Sequence, residues 1–89
     1  MEILISRSFQ KVLRKLDSKI QKRIVAVVRE VEAAESLSSI SSVKPMHGYP
    51  NYYRIREGDY RIGIFINDEN IIEFLDIGSR GDFIKNFPK

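Results

Sequence analysis

The sequence predicts an α+β domain: about four strands in a mainly antiparallel sheet, with an amino-terminal helical hairpin packed on one face. Two observations carry this. Before the serine-rich stretch Ser36 to Ser42, apolar residues recur every three or four positions; after Pro45 they alternate, in runs bounded by turn-forming residues. At 89 residues the chain makes one domain, 1–89, near the small end of what folds alone. Hydrophobic residues at 43% and charged residues at 30% are ordinary globular values, which argues against disorder.

The elements follow in order. Met1 to Ile5 reads as a short strand. Phe9, Leu13, Leu16, Ile20, Ile24, Val27 and Val31 form a helical stripe. Ser6 or Ser8 suits the start of a first helix over Phe9 to Leu16, and Asp17 followed by Ser18 suits a second over Ser18 to Glu35; one continuous helix is the alternative. The basic residues between the apolar positions, from Lys11 to Arg23, read as a solvated helix face. Three strands then occupy Tyr52 to Arg56, Asp59 to Ile66 and Ile71 to Ile77, separated by Glu57-Gly58 and by Asn67 to Asn70. The remainder, Gly78 to Lys89, suits a turn or short helix.

Composition narrows the function classes. With no cysteine there is no disulfide scaffold and no thiolate metal site. His47 is the one histidine, so a zinc site lacks ligands, and neither a P-loop nor a serine-nucleophile motif occurs. No metal or other cofactor is expected. No apolar stretch has the length of a signal peptide or a membrane span, so the expected location is the cytoplasm, without membrane association. The net charge of +3 is a modest bias toward polyanions.

The informative segment is Asn51 to Phe65. A two-residue loop at Glu57-Gly58 would pair Arg54 with Arg61. It would put Tyr53, Ile55, Tyr60, Ile62, Ile64 and Ile66 on a core face and Arg54, Arg56 and Arg61 on the other. Facing like charges destabilise a sheet. An anion seated on the cluster would resolve the conflict, since guanidinium forks match phosphate oxygens. The competing reading is a surface neutralised by Glu57, Asp59 and Asp76. Asp76 faces Arg61 in one register of the final strand and the core in the other. His47 has the only side chain whose ordinary pKa suits general acid–base work near neutrality.

Three segments carry a family resemblance: Gly48 to Arg56, Gly58 to Ile62, and Ile77 to Asp82 with its Gly-x-Arg. They resemble the RelE/ParE toxins of type II toxin–antitoxin systems. In the RelE branch, the resemblance implies metal-independent cleavage of messenger RNA, typically in the ribosomal A site, by 2′-hydroxyl attack on the adjacent phosphate. Arg54 and Arg56 match the family's basic pair, and Arg61 and Arg80 its two arginines. Arg61 is the first choice for clamping the phosphate and Arg80 the second. Lys44 and Lys85 join Arg54 and Arg56 as RNA contacts. The implied partners are an acidic, RelB-like antitoxin, messenger RNA and the ribosome. Two departures stand out. Ile84 lies where many relatives have a tyrosine, and Arg56 replaces a lysine although arginine, which keeps its proton in proteins, is a poor proton acceptor. The general base is then unassigned: His47 or Lys85 is the candidate, or positioning of the substrate on the ribosome supplies most of the rate. A ParE-like gyrase poison and a catalytically degenerate antitoxin-binding member are the alternatives.

Overall fold

In a computed structural model, residues 1–88 are described, apart from the side chains of Ile84, Lys85 and Asn86. Ser6 opens the first helix, α1 (Arg7–Lys15). Its Oγ accepts the Phe9 N–H at 3.1 Å and donates to the Leu75 carbonyl at 3.2 Å, so one hydroxyl both caps the helix and ties it to a strand. Asp17 opens α2 (Ser18–Ala33) by accepting the Lys19 N–H, and the extended backbone at Leu16 separates the two helices. The helical hairpin is thus present, and the single continuous helix is not.

The sheet has five strands: β1 (Ile3–Ile5), β2 (Val43–Pro45), β3 (Tyr52–Glu57), β4 (Tyr60–Ile66) and β5 (Ile72–Ser79). Their spatial order is β1-β5-β4-β3-β2, with β1 parallel to β5 and the other pairs antiparallel. The strand beyond the expected four is β2. It is three residues long and ends in a proline, which an edge position tolerates and which leaves no alternation to read. A third helix, α3 (Arg80–Asn86), follows β5 directly.

The helices cover one face of the sheet. Phe9 from α1 and Ile24, Val27 and Val31 from α2 meet Ile55, Ile62, Ile64 and Phe74, all buried. Phe9 and Phe74 pack edge to face with ring centroids 5.5 Å apart. This assigns Ile55, Ile62 and Ile64 to the core face, as their alternation predicts, and turns the arginines of β3 and β4 outward.

The hairpin register differs from the expectation. The loop is Gly58-Asp59, so Arg56 pairs with Arg61 and Arg54 with Gly63, two positions from the predicted partner. The cause is turn chemistry. Gly58 has φ +58°, and the first central residue of a type II′ turn needs a positive φ, which glycine adopts without strain and glutamate does not. Because the slip is by an even number of residues, every side chain keeps its face.

Candidate functional site

On the face away from α1 and α2, the register stacks three rows of residues across the strands. Nearest the hairpin tip lie Arg56, Arg61 and Gly78; next come Lys44, Arg54, Gly63 and Asp76; then Tyr52, Phe65, Glu73 and Leu4. Successive rows are about 7 Å apart along a strand. The two glycines mark where α3 lies on the sheet. A Cβ on Gly63 would come within 2.5 Å of the Phe87 ring, and one on Gly78 within 3.3 Å of the Phe83 backbone. Phe83 and Phe87 stack at 4.9 Å, Phe87 meets Tyr52 at 5.8 Å and Tyr52 meets Phe65 at 4.7 Å. This second, small aromatic core holds α3 over the β4–β5 half of the face and leaves the β2–β3 half open.

The open half is a cleft of ≈ 500 Å³ lined by Ser41, Ser42, Lys44, Arg54, Arg56, Arg61, Arg80 and Phe83. That volume lies in the range of ordinary small-ligand sites. Arg80 reaches it as the first residue of α3, where its N–H donates to the Asp59 carbonyl at 2.9 Å and ties the helix start to the hairpin tip. Arg61 is held by its own turn: Nη1 donates to the carbonyls of Gly58 and Tyr60, both at 2.9 Å. Burial, then the charges of Arg56, Arg80 and Arg54, hold the Arg61 guanidinium below the usual arginine range, with Asp59 opposing them. It still carries its proton at neutral pH.

Two of the three carboxylates in the competing reading are turned elsewhere. Glu57 lies on the helix side and pairs with Arg23 of α2 at 2.9 Å. Asp76 pairs in register with Gly63 and lies neither opposite Arg61 nor in the core. Its Oδ1 accepts the Ile77 N–H, and the hollows it lines hold Phe87 and Ser6 on one side and Val12 and Leu16 on the other. Among the described residues, none of Arg54, Arg56, Arg61 and Arg80 forms an ion pair. The cleft is therefore a concentration of unpaired positive charge.

That charge has a cost in stability. A base whose pKa is lowered by folding destabilises the fold for as long as it stays charged, hence at every pH below the arginine range. Relieving the facing pair with Arg56→Gln, at an exposed position, is expected to raise stability by roughly 0.2–1 kcal/mol at low salt. The gain should fade at about 0.5 M salt, where screening acts over a few Å. Thermal melts at the two ionic strengths check this. An equal gain in both would assign the effect to packing instead of charge.

Of the residues singled out from sequence, Lys44, Arg54, Arg56, Arg61 and Arg80 line one cleft. His47 does not: it is exposed on the β2–β3 turn, outside the residues that line the cleft. The side chains of Lys85 and Ile84 lie outside those described. Sequence reasoning missed Ser41, Ser42 and Phe83 as lining residues. A signal for Phe83 was present, since a glycine within a strand often marks a close approach by another part of the chain, and Gly78 is that glycine. Among the described residues no group of three or more His, Cys, Asp and Glu side chains could hold a metal ion, and no helix is long and apolar enough to cross a membrane.

Comparison with known proteins gives this arrangement its family. Residues 3–82 match the family model of the ParE toxin of the type II toxin–antitoxin system parDE. The chain is 41% identical over 89 residues to Toxin RelE3 of Methanocaldococcus jannaschii, covering 99% of this chain and 100% of that protein. Its fold superposes on a chain of the RelB–RelE antitoxin–toxin complex from Methanococcus jannaschii with a TM-score of 0.79 at 36% identity, covering 96% of this chain and 99% of the other. An archaeal RelE–RelB complex from Pyrococcus horikoshii OT3 shares the fold at a TM-score of 0.73 and 24% identity, over 90% and 94% of the two chains. With the match extending over nearly its whole length, the chain belongs to the RelE/ParE family and is a RelE-like toxin of a type II toxin–antitoxin system.

Proposed function

We propose that the cleft binds the phosphate backbone of messenger RNA and that the chain is a metal-independent endoribonuclease acting on translated message. The observation that carries this reading is the gathering of four guanidinium groups and one ammonium group in a single concavity, with no ion pair to the arginines among the described residues. An anion supplies the missing countercharge. In the step envisaged, the ribose 2′-oxygen attacks the adjacent phosphorus, the bond to the 5′-oxygen breaks, and a 2′,3′-cyclic phosphate and a 5′-hydroxyl result. One proton leaves the 2′-oxygen and one is delivered to the 5′-oxygen. Negative charge grows on the non-bridging oxygens meanwhile, and preset guanidinium donors stabilise it. Arg61 acts as the first clamp and Arg80 as the second, while Arg54, Arg56 and Lys44 hold the neighbouring backbone.

Arginine binds and stabilises charge but is a poor proton acceptor. With His47 away from the cleft, positioning of the message on the ribosome carries most of the rate in this reading. The work is then cytoplasmic. The named complexes of relatives pair RelE with RelB, and the same reading gives this chain an acidic, RelB-like antitoxin that covers its basic surface.

Mapping of 5′ ends after induction in growing cells tests the proposal. Discrete cuts within translated frames, with cyclic phosphate on the upstream fragments, are expected. Intact messages accompanied by a DNA-damage response would replace it with gyrase poisoning, and the absence of any growth defect would leave an antitoxin-binding member without nuclease activity.

A further inference from the structure

The outer face does not end at the arginines. Beyond Arg54 on β3, one row further from the hairpin tip, the residue on the same face is Tyr52, paired across to Phe65. Against Tyr52 stands Tyr49 from the β2–β3 turn, its ring edge-on at 6.4 Å and 77°. Tyr49 is 49% exposed, and among the described residues the other large hydrophobic side chains recorded as exposed are Leu4 and Val25, both without a ring.

The turn that presents Tyr49 is well fastened. The Tyr49 N–H donates to the Met46 carbonyl at 3.1 Å, and the Tyr49 carbonyl accepts the Tyr52 N–H at 3.2 Å. Asn51, with φ +67°, accepts the Ile66 N–H at 3.0 Å and joins the turn to β4. Gly48, at φ +82°, supplies the other left-handed position. A hollow of ≈ 320 Å³ at this end of the sheet is lined by residues between Pro45 and Tyr53, none of them charged. It begins one residue after Lys44, which lines the arginine cleft.

Basic groove followed by rigid exposed ring is the arrangement by which proteins hold single-stranded nucleic acid: cations track the phosphates, and an aromatic face takes a base. Every base has a π-face, so such a platform adds affinity without demanding a sequence. We propose that Tyr49 is a stacking platform for one nucleobase of a single-stranded RNA whose phosphates lie in the arginine cleft. The inference rests on the RNA reading of that cleft and adds to it a second contact and a direction: the strand leaves the cleft along β3, away from the hairpin tip. Tyr52 positions the Tyr49 ring, and Phe65 and Phe87 support Tyr52 from behind.

Fluorescence anisotropy with an end-labelled RNA pentamer, 2′-O-methylated throughout so that it cannot be cut, tests this at low salt. Tyr49→Ala is expected to weaken binding about tenfold, and Tyr49→Phe to bind as the native chain does. An abasic residue introduced at successive positions should weaken native binding about tenfold at one position and have no further effect there on Tyr49→Ala. Native affinity in Tyr49→Ala, the result if the ring docks a protein segment instead, overturns the proposal, as does independent addition of the abasic and Tyr49→Ala effects. Arg61→Ala separates the two readings. Weaker binding in Arg61→Ala with native binding in Tyr49→Ala leaves the cleft standing and removes the platform; no binding by the native chain removes both.

Discussion

Arg61→Ala is expected to relieve growth arrest and to lower message cleavage by roughly 10²–10³-fold, the usual loss when one preset donor to a developing oxyanion is removed. Arg61 is the most constrained of the four arginines. Its Nη1 gives its hydrogens to the Gly58 and Tyr60 carbonyls, which leaves the Nε and Nη2 edge directed by the turn and not by chance rotamers. It also sits at the electrostatic centre of the cluster, crowded by Arg56, Arg80 and Arg54. An anion arriving there relieves repulsion and gains charge-assisted hydrogen bonds together, and both gains grow as charge builds on the phosphate. Folding should survive the change. The two backbone hydrogen bonds are lost, but so is the central like charge, and the midpoint of thermal unfolding is expected to move by only a few degrees. Arg61→Lys keeps the charge without the planar fork and should fall between the two. Single-turnover cleavage on programmed ribosomes beside a thermal melt decides the matter. Full cleavage in a folded Arg61→Ala protein would displace the phosphate clamp from this residue.

The alternation of β3 and β4 was enough to sort Arg54, Arg56 and Arg61 from Ile55, Ile62 and Ile64, because a buried sheet face tolerates no odd slip. The pairing itself was not legible from alternation. Loops at Glu57-Gly58 and Gly58-Asp59 give the same faces, and only the demand of a type II′ turn for glycine at its first position chooses between them. β2 escaped notice because three residues ending in Pro45 carry no period. His47 qualifies as an acid–base group by chemistry alone, and its nearness in sequence to the arginine hairpin does not bring it to the cleft. β3 carries the chain from its start near Met46 to the tip at Glu57, so a residue before the strand lies at the end far from Arg56 and Arg61. Arg80 entered through family resemblance alone. Its physical reason came with the fold: β5 runs back along β4, sets Gly78 opposite Arg61, and delivers the next helix to the cleft.

The strand glycines give the second large expectation. Gly63→Val should lower stability by roughly 1–3 kcal/mol, the range for overpacking a filled site, or on the order of 10 °C in a domain this small. Taken alone, valine is the better strand residue and would be expected to help. The penalty comes from Phe87, whose ring atoms lie 2.5–2.7 Å from where the new Cβ must go. Something has to move. β4 is bonded to β3 on one side and β5 on the other, whereas α3 is a seven-residue helix seated on the sheet through Phe83 and Phe87. The helix therefore lifts, taking with it the Phe83 wall of the cleft and the N-terminal turn that carries Arg80. Activity should fall further than stability loss explains, in protein that is still folded at the assay temperature. A double-mutant cycle isolates the cause. Phe87→Ala opens the space that the introduced valine needs, so Gly63→Val combined with Phe87→Ala should be less destabilised than the sum of the two single changes. Strict additivity would mean that the ring is not what requires glycine at this position, and that α3 is held against the sheet through Gly78 and Phe83 instead.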